Sequence, residues 1–262
     1  MTSSINHEET VDFFHDHDFF GYQSSYIRFF RQEMAPATDF SGKIYLENKG
    51  QVSLSPNGNG GWFSSIIKAD LLPQLKNWGV EWLNIFSVDN PLQKMADPVF
   101  IGATMHGSYV SGSKVVRKAD PNERVGVLCL ENGKPSIVEY FELSKEMIEA
   151  TNEQGELLYR YGVILNYLFR LDRLLEISET RLPYHIVEKK IPHLTSDGER
   201  VQPTQNNGYK FETLVLDMIR MMDNCLGFEV LREVEFAPIK NKTGVDSLET
   251  SRTLLKQNGI EL

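Results

Sequence analysis

The run Pro56-Asn57-Gly58-Asn59-Gly60-Gly61 sets three glycines in four positions, between a short alternating strand (Val52, Leu54) and an apolar helix opening at Trp62 and Phe63. Neither a regular helix nor a regular strand carries glycine at that density, so the chain must turn here. The missing Cβ atoms would let a flat or anionic ligand reach the backbone, and glycine adopts the positive φ values such a loop uses. The helix just after it offers unpaired N–H groups and the positive end of its dipole. Two readings are open from these six residues alone: a ligand loop, or a strand-to-helix turn.

Composition narrows the function classes. With 262 residues, 41% hydrophobic and 11% aromatic, the chain can bury a full core as one large domain or two small ones. Lys and Arg total 27 against 36 Asp and Glu, a net charge of -9, which argues against nonspecific binding to nucleic acid or an anionic membrane. Cys129 and Cys225 have no CxxC spacing and no third ligand, so neither a disulfide framework nor a zinc site is expected. The start, Met1 to Glu9, is polar and acidic, and no run approaches about 20 apolar residues, so the expected compartment is the cytoplasm.

Along the chain, Thr10 is expected to cap a helix carrying Val11, Phe13 and Phe14, and residues 26–30 read as a strand. Lys43 to Glu47 and Gln51 to Leu54 flank Asn48-Lys49-Gly50 as a hairpin, and Trp62, Phe63, Ile66, Ile67 and Leu71 have helical spacing. Residues 82–88 are apolar on both faces, the pattern of a central strand covered by helices on both sides, and end in Asp89-Asn90. In open α/β sheets ligands collect beyond the carboxyl ends of strands, which makes Asp89 a candidate for chemistry. Residues 114–118, 124–130 and 136–142 read as an antiparallel meander turning at Glu131-Asn132-Gly133. Helices are expected over 156–175 and 211–222, a strand over 227–234 and a terminal helix near 247–256. The spacing of His15-Asp16-His17-Asp18 spreads its side chains around a helix, so it reads as a surface helix end, and Trp78 and Trp82 read as core.

Four ordered segments carry a family resemblance: Pro56 to Phe63, Val88-Asp89-Asn90 running into Lys94-Met95-Ala96-Asp97-Pro98, Val138-Glu139-Tyr140, and Glu235-Phe236-Ala237-Pro238-Ile239-Lys240-Asn241. Phe29 to Gln32, Lys114 to Lys118, and Pro183-Tyr184-His185 with Glu188 to Pro192 add weaker matches. Together they resemble the eukaryotic-type UDP-N-acetylglucosamine pyrophosphorylases and their UDP-sugar pyrophosphorylase relatives, over nearly the whole chain. The resemblance implies an α/β nucleotide-diphospho-sugar transferase fold, Rossmann-like and GT-A-type, with a mixed sheet partial at its N-terminus, an antiparallel meander and C-terminal helices. Its nucleotide side would be 1–112 and its sugar side 113–262. The implied reaction takes UTP and a sugar 1-phosphate to a UDP-sugar and pyrophosphate with Mg, by in-line attack on the α-phosphorus and without a covalent nucleophile.

By the same resemblance, Gly58 lies against the uracil with Asn59 and Gly60 continuing the loop, and Gln32 hydrogen-bonds the base edge. Asp89 would serve catalysis as the magnesium ligand near the phosphates, with an N-cap for the next helix as its alternative. Lys240 would be the catalytic lysine aimed at the phosphates, against a solvated loop lysine. Gly126 and Glu139 would stand near the sugar, although Glu139 could equally pair with Lys118 or Arg124. Lys189 and Lys190 read as a solvated patch.

Two departures accompany the resemblance. The family's Gly-rich triphosphate loop, Leu-x-x-Gly-x-Gly-Thr-Arg-Leu-Gly, has no counterpart here, and Met1-Thr2-Ser3 matches the end of an internal family strand. The expectation is a truncated chain or a missing half supplied by a separate polypeptide. Val163 stands where the family has an asparagine by the sugar's N-acetyl region, and Leu214 and Leu216 where it often has phenylalanines, which loosens the assignment to N-acetylglucosamine. A catalytically degenerate UDP-sugar-binding homologue or partner subunit is the alternative to an enzyme.

Overall fold

The computed structural model describes residues 1–261 as a mixed α/β protein. Its contacts divide it into two compact units, one of residues Met1–Gly79 with Ser178–Met218, the other of Val80–Ile177 with the chain from Ile219 onward. Among the described residues no helix is long and apolar enough to cross a membrane.

The first unit is a set of small antiparallel sheets. His185–Lys189, Gly208–Glu212 and Thr38–Asp39 form three strands with Gly208–Glu212 central, Met34–Pro36 pairs with Leu54–Pro56, and the expected hairpin closes between Leu46–Asn48 and Gln51–Val52. The helix after the glycine run spans Trp62–Lys68 and buries Trp62, Phe63 and Ile66 as its spacing predicts, but it ends before Leu71 and leaves Ile67 exposed. Trp62 Nε1 donates to Met218 Sδ at 3.1 Å, so the buried indole N–H keeps a partner.

Several expectations fail in this unit. The first helix is His7–Asp16 and begins before Thr10, whose hydroxyl donates back to Asn6 O at 2.6 Å as an in-helix threonine does. Residues 26–30 are not a strand: a 3-10 turn Ser24–Tyr26 precedes irregular chain, and one parallel bridge, Thr2 to Arg31, holds this stretch. Trp78 is 48% exposed rather than core, since the short helix Leu72–Asn77 ends beside it. Tyr26 packs edge-on against its ring and the Arg28 guanidinium lies 5.9 Å from the ring centroid. Residues 211–222 are not one helix either. Strand Gly208–Glu212 runs to Thr213, whose N–H is held by Asn57 O at 2.7 Å, and only then does helix Val215–Arg220 begin.

The second unit is built on a six-stranded mixed sheet. The order is Leu226–Glu229, Ser111–Arg117, Tyr161–Arg170, Val127–Glu131, Lys134–Val138, with Trp82–Phe86 also paired to Tyr161–Arg170. Only the first pair is parallel. The ten-residue strand Tyr161–Arg170 replaces the helix expected over 156–175, and helix starts only at Leu171–Ile177. A continuous apolar run is compatible with a buried helix or a buried strand, and periodicity alone does not separate them. This strand carries a register shift between Val163 and Tyr167, with Leu165 at φ 50. One of its edges is thereby shared, pairing Gly162 with Val127 on one side of the bulge and Asn166 to Arg170 with Trp82–Phe86 on the other.

The meander is also reordered. Val127–Glu131 and Lys134–Val138 form the expected hairpin around Asn132-Gly133, but Tyr161–Arg170 intervenes between this hairpin and Ser111–Arg117. Trp82–Phe86 is not a central strand: among the described residues it pairs only with Tyr161–Arg170, antiparallel, and none of its residues is fully buried. The strand expected over 227–234 stops at Glu229, and Arg232–Glu235 is a helical turn.

The terminal helix Leu248–Gln257 stands as expected, with Ser247 as its cap. Ser247 Oγ accepts from Thr250 N, and Thr250 Oγ1 accepts from Ser247 N at 2.9 Å. Leu255 of this helix packs with Leu92 and Ala237 in one core cluster. Replacing Ser247 with Ala should therefore cost about 1 kcal/mol of unfolding free energy in urea melts, with an unchanged denaturant slope.

Candidate active site

In the first unit the glycine run clasps the chain at Thr213. Gly60 N donates to Thr213 O at 2.8 Å and Asn57 O accepts from Thr213 N, so the loop and Thr213 bond like neighbouring strands. Gly58 has φ +86, and a Cβ there would lie 2.3 Å from Thr213 O; one on Gly60 would lie 2.7 Å from Leu214 N. The side on which these glycines lack a Cβ faces the protein's own backbone, so any ligand must approach from another side. Asn59 Oδ1 accepts from Val215 N at 2.9 Å and so caps helix Val215–Arg220. Gln32, partly buried, is anchored by its N–H to Thr2 O at 2.7 Å.

In the second unit the turn that ends Trp82–Phe86 is fastened to the 235–240 segment by three hydrogen bonds. Asp89 O accepts from Ile239 N at 2.8 Å. Asn90, 3% exposed, donates through Nδ2 to Glu235 O at 2.8 Å, and its Oδ1 accepts from Ala237 N at 2.8 Å and Leu92 N at 3.3 Å. The segments carrying Asp89 and Lys240 are thus held side by side. Asp89 is half-buried, and Ser87 Oγ donates to its Oδ1, while no protein group among the described residues donates to Oδ2. The helical N-cap is Asp97, so Asp89 does not fill the capping role open to it in the sequence. Lys240 is exposed, with Nζ 5.9 Å from the centroid of the Phe236 ring.

Beneath this turn lies a buried ion cluster. Lys114, fully buried on strand Ser111–Arg117, donates to Asp97 Oδ2 at 2.7 Å and Glu235 Oε2 at 2.5 Å, and Lys94 Nζ reaches Glu235 Oε1 at 3.2 Å. Two cations and two carboxylates make the set neutral. Burial pushes the Asp97 carboxyl up, but hydrogen bonds from Lys114 and Val99 N outweigh this and hold it below the usual carboxylate range. These residues lie within the segments that carry the resemblance, but nothing in their spacing marks them as partners.

Gly126 and Glu139 are neighbours in space. A Cβ on Gly126 would lie 3.6 Å from Glu139 Oε2 and 3.4 Å from Val163 Cγ2, and Val163 N donates to Gly126 O at 2.8 Å. Lys118, offered as a partner for Glu139, sends Nζ to Pro121 O at 2.6 Å. Asn166, fully buried on the same strand as Val163, accepts from Asn84 Nδ2 and donates to Gln93 Oε1, both at 2.8 Å.

Residues 1–259 match the family model described as UDPGP, UTP–glucose-1-phosphate uridylyltransferase. The chain belongs to the UDPGP family. Within that family it is 40% identical over 264 residues to the UDP-N-acetylhexosamine pyrophosphorylase-like protein 1 of Mus musculus, covering 98% of this chain and 52% of that protein. It is 38% identical to the UDP-N-acetylglucosamine pyrophosphorylase of Saccharomyces cerevisiae, over 96% of this chain and 55% of the relative. The crystal structure of the Trypanosoma brucei uridine diphosphate N-acetylglucosamine pyrophosphorylase in complex with inhibitor superposes with a TM-score of 0.85 at 30% identity, over 97% of this chain and 52% of that one. The chain spans about half the length of the relatives it matches.

Two outcomes follow for this UDPGP chain. Gly58→Ala forces a Cβ into the Thr213 carbonyl at a left-handed φ and should cost roughly 2–4 kcal/mol in urea unfolding. Lys114→Met leaves two nearly buried carboxylates without their cation and should cost on the order of 3–5 kcal/mol at pH 7. In the parent chain the lowered Asp97 carboxyl contributes stability that is present above the ordinary aspartate range, about 3.9, and is lost as pH falls through its folded value. In Lys114→Met burial dominates and favours the protonated acid, so the gap between variant and parent should narrow from pH 7 to pH 4 in parallel urea melts.

Proposed function

We propose that this chain is the central and C-terminal portion of a uridylyltransferase that converts UTP and N-acetylglucosamine 1-phosphate to UDP-N-acetylglucosamine and pyrophosphate. The observation that carries the reading is the fastening of the Asp89 turn to the 235–240 segment, which pairs a carboxylate with a lysine-bearing loop at a strand end. Such a pair suits a phosphate chain that arrives with a divalent cation.

Asp89 fits magnesium: its carboxylate is half-buried, Ser87 orients one oxygen, and the other meets no protein donor among the described residues. Magnesium commonly takes one or two carboxylates and completes its shell with phosphate oxygens and water, so a single Asp suffices. When bound, the ion would offset phosphate charge. Lys240 would swing from the Phe236 ring to the phosphates, where its ammonium neutralises charge as a sugar-phosphate oxygen bonds to the α-phosphorus and the bond to the β-phosphate breaks. Gln32, Gly58, Asn59 and Gly60 hold the uracil in this reading, and Gly126 with Glu139 accept the sugar, Glu139 through its hydroxyls. The fold is accordingly a Rossmann-like, GT-A-type transferase, with residues 1–112 serving the nucleotide and 113–262 the sugar.

Turnover is assigned to this chain together with the upstream segment that the family resemblance implies, in the same polypeptide or a separate one; the chain spans about half the length of its relatives. Val163 beside Gly126 favours a second reading, a UDP-sugar-binding homologue without catalysis. The test is pyrophosphate release from UTP, magnesium and N-acetylglucosamine 1-phosphate, with the upstream segment supplied. Turnover should appear, and Asp89→Ala or Lys240→Ala should each lower it roughly 10²-fold or more. Binding of UDP-N-acetylglucosamine by calorimetry without any turnover would instead establish the second reading.

A further inference from the structure

Asn90 is a buried polar side chain in the Asp89 turn. It is 3% exposed, so each of its hydrogen bonds substitutes for water that cannot enter. Its amide spans two segments far apart in sequence: Nδ2 reaches Glu235 O, and Oδ1 takes the N–H groups of Leu92 and Ala237. Only an amide supplies a donor and a two-bond acceptor in one planar group, so neither Asp nor Leu reproduces the set. The same Glu235 that gives its carbonyl to Asn90 gives its carboxylate to buried Lys114, and Asp97 joins Lys114 from the start of helix Pro98–His106. The 235–240 segment is therefore fixed at its start by side chains, through Glu235, and near its end by the backbone bond from Ile239 N to Asp89 O.

We propose that Asn90 is a positioning residue: by clasping Glu235 and Ala237 it sets the register in which Ile239 docks on Asp89, and so fixes the root of Lys240 beside the Asp89 carboxylate for a magnesium-bound pyrophosphoryl group. The phosphate part of this role rests on the function proposed above; the clasp itself does not. Lys240 is a long, exposed side chain, and its reach toward an anion depends on where its Cα is held. Without the amide, the Ala237 N–H and the Glu235 carbonyl lose their buried partners, the segment is freed to shift, and the lysine is left to search a larger volume. Affinity for a phosphate ligand then falls although neither charged side chain has been touched.

The experiment compares the full 262-residue chain with Asn90→Ala under conditions in which both are folded by cooperative urea unfolding. Amide exchange at Ala237 and Ile239 is followed by NMR, with Ser251 in the terminal helix as an internal reference, and magnesium pyrophosphate is titrated by calorimetry with the upstream segment supplied to parent and variant alike. The expected result is at least 100-fold faster exchange at Ala237 and Ile239 relative to Ser251, together with at least 10-fold weaker binding. Unchanged exchange overturns the clasp. Faster exchange with affinity within twofold of the parent overturns the positioning role alone and leaves the proposed function standing. No binding of magnesium pyrophosphate by the parent overturns both the phosphate reading and the positioning role, while the exchange data still decide the clasp. If Asn90→Ala does not fold, Asn90→Asp carries the same pair of measurements. It keeps the acceptor and loses the donor to Glu235, so Ala237 should stay protected, Ile239 should exchange faster, and binding should weaken at least threefold; failure of either change at Ile239 or in affinity overturns the role.

Discussion

A lysine ammonium buried in the middle of a sheet is the constraint on which the second unit depends. Lys114 has no exposed surface, and removing its charge from water is unfavourable unless partners replace the solvent. It finds them in Asp97 and Glu235, which belong to distant parts of the chain. Asp97 divides its carboxylate between tasks: Oδ1 accepts Val99 N at 3.0 Å to start helix Pro98–His106, while Oδ2 meets Lys114. Glu235 brings the C-terminal segment to the same ammonium, and Lys94 at the rim balances the remaining charge. A helix start, a strand and a loop are thereby pinned to one point by groups that cannot be separated without stranding a charge.

The turn carrying Asp89 inherits that rigidity. Asn90 bonds Glu235, which Lys114 holds, so the geometry of the strand end follows from the buried cluster below it. The first unit meets an analogous need by a different device. There the glycine run presses its backbone against Thr213 and Leu214, and close approach takes the place of charge as the fixing element. Asn59 completes the device by capping the helix that follows Thr213.

Legibility in the sequence tracks how local each feature is. The hairpin around Asn48-Lys49-Gly50, the helix Trp62–Lys68, the hairpin turn at Asn132-Gly133 and the terminal helix behind Ser247 all follow from residues within a few positions of one another. The strand Tyr161–Arg170 reads as helix because an unbroken apolar run satisfies either element when buried; its three neighbouring strands decided the matter. Trp82–Phe86 reads as a central strand for the same reason, since apolarity reports burial and not the direction or number of pairing partners. Among the candidate site residues, Gly126 and Glu139 are neighbours in space, and Asp89 and Lys240 share a fastened pair of segments. Asn90, Asp97, Lys114 and Glu235 carry no such signal, because a polar residue acquires its meaning from a partner brought by the fold.

By itself the sequence determined the class of protein, a mixed α/β chain of the UDPGP family, and the order of the segments that carry its chemistry. Those properties are inscribed in residue types at short spacing. The tertiary structure decided that the glycines face their own backbone, that one ten-residue strand is shared between two neighbours on one edge, and that a buried lysine joins Asp97 to Glu235. Such facts depend on contacts between residues 17 to 156 positions apart, and the free energy of those contacts comes from desolvation and close approach, which no local pattern of residues expresses.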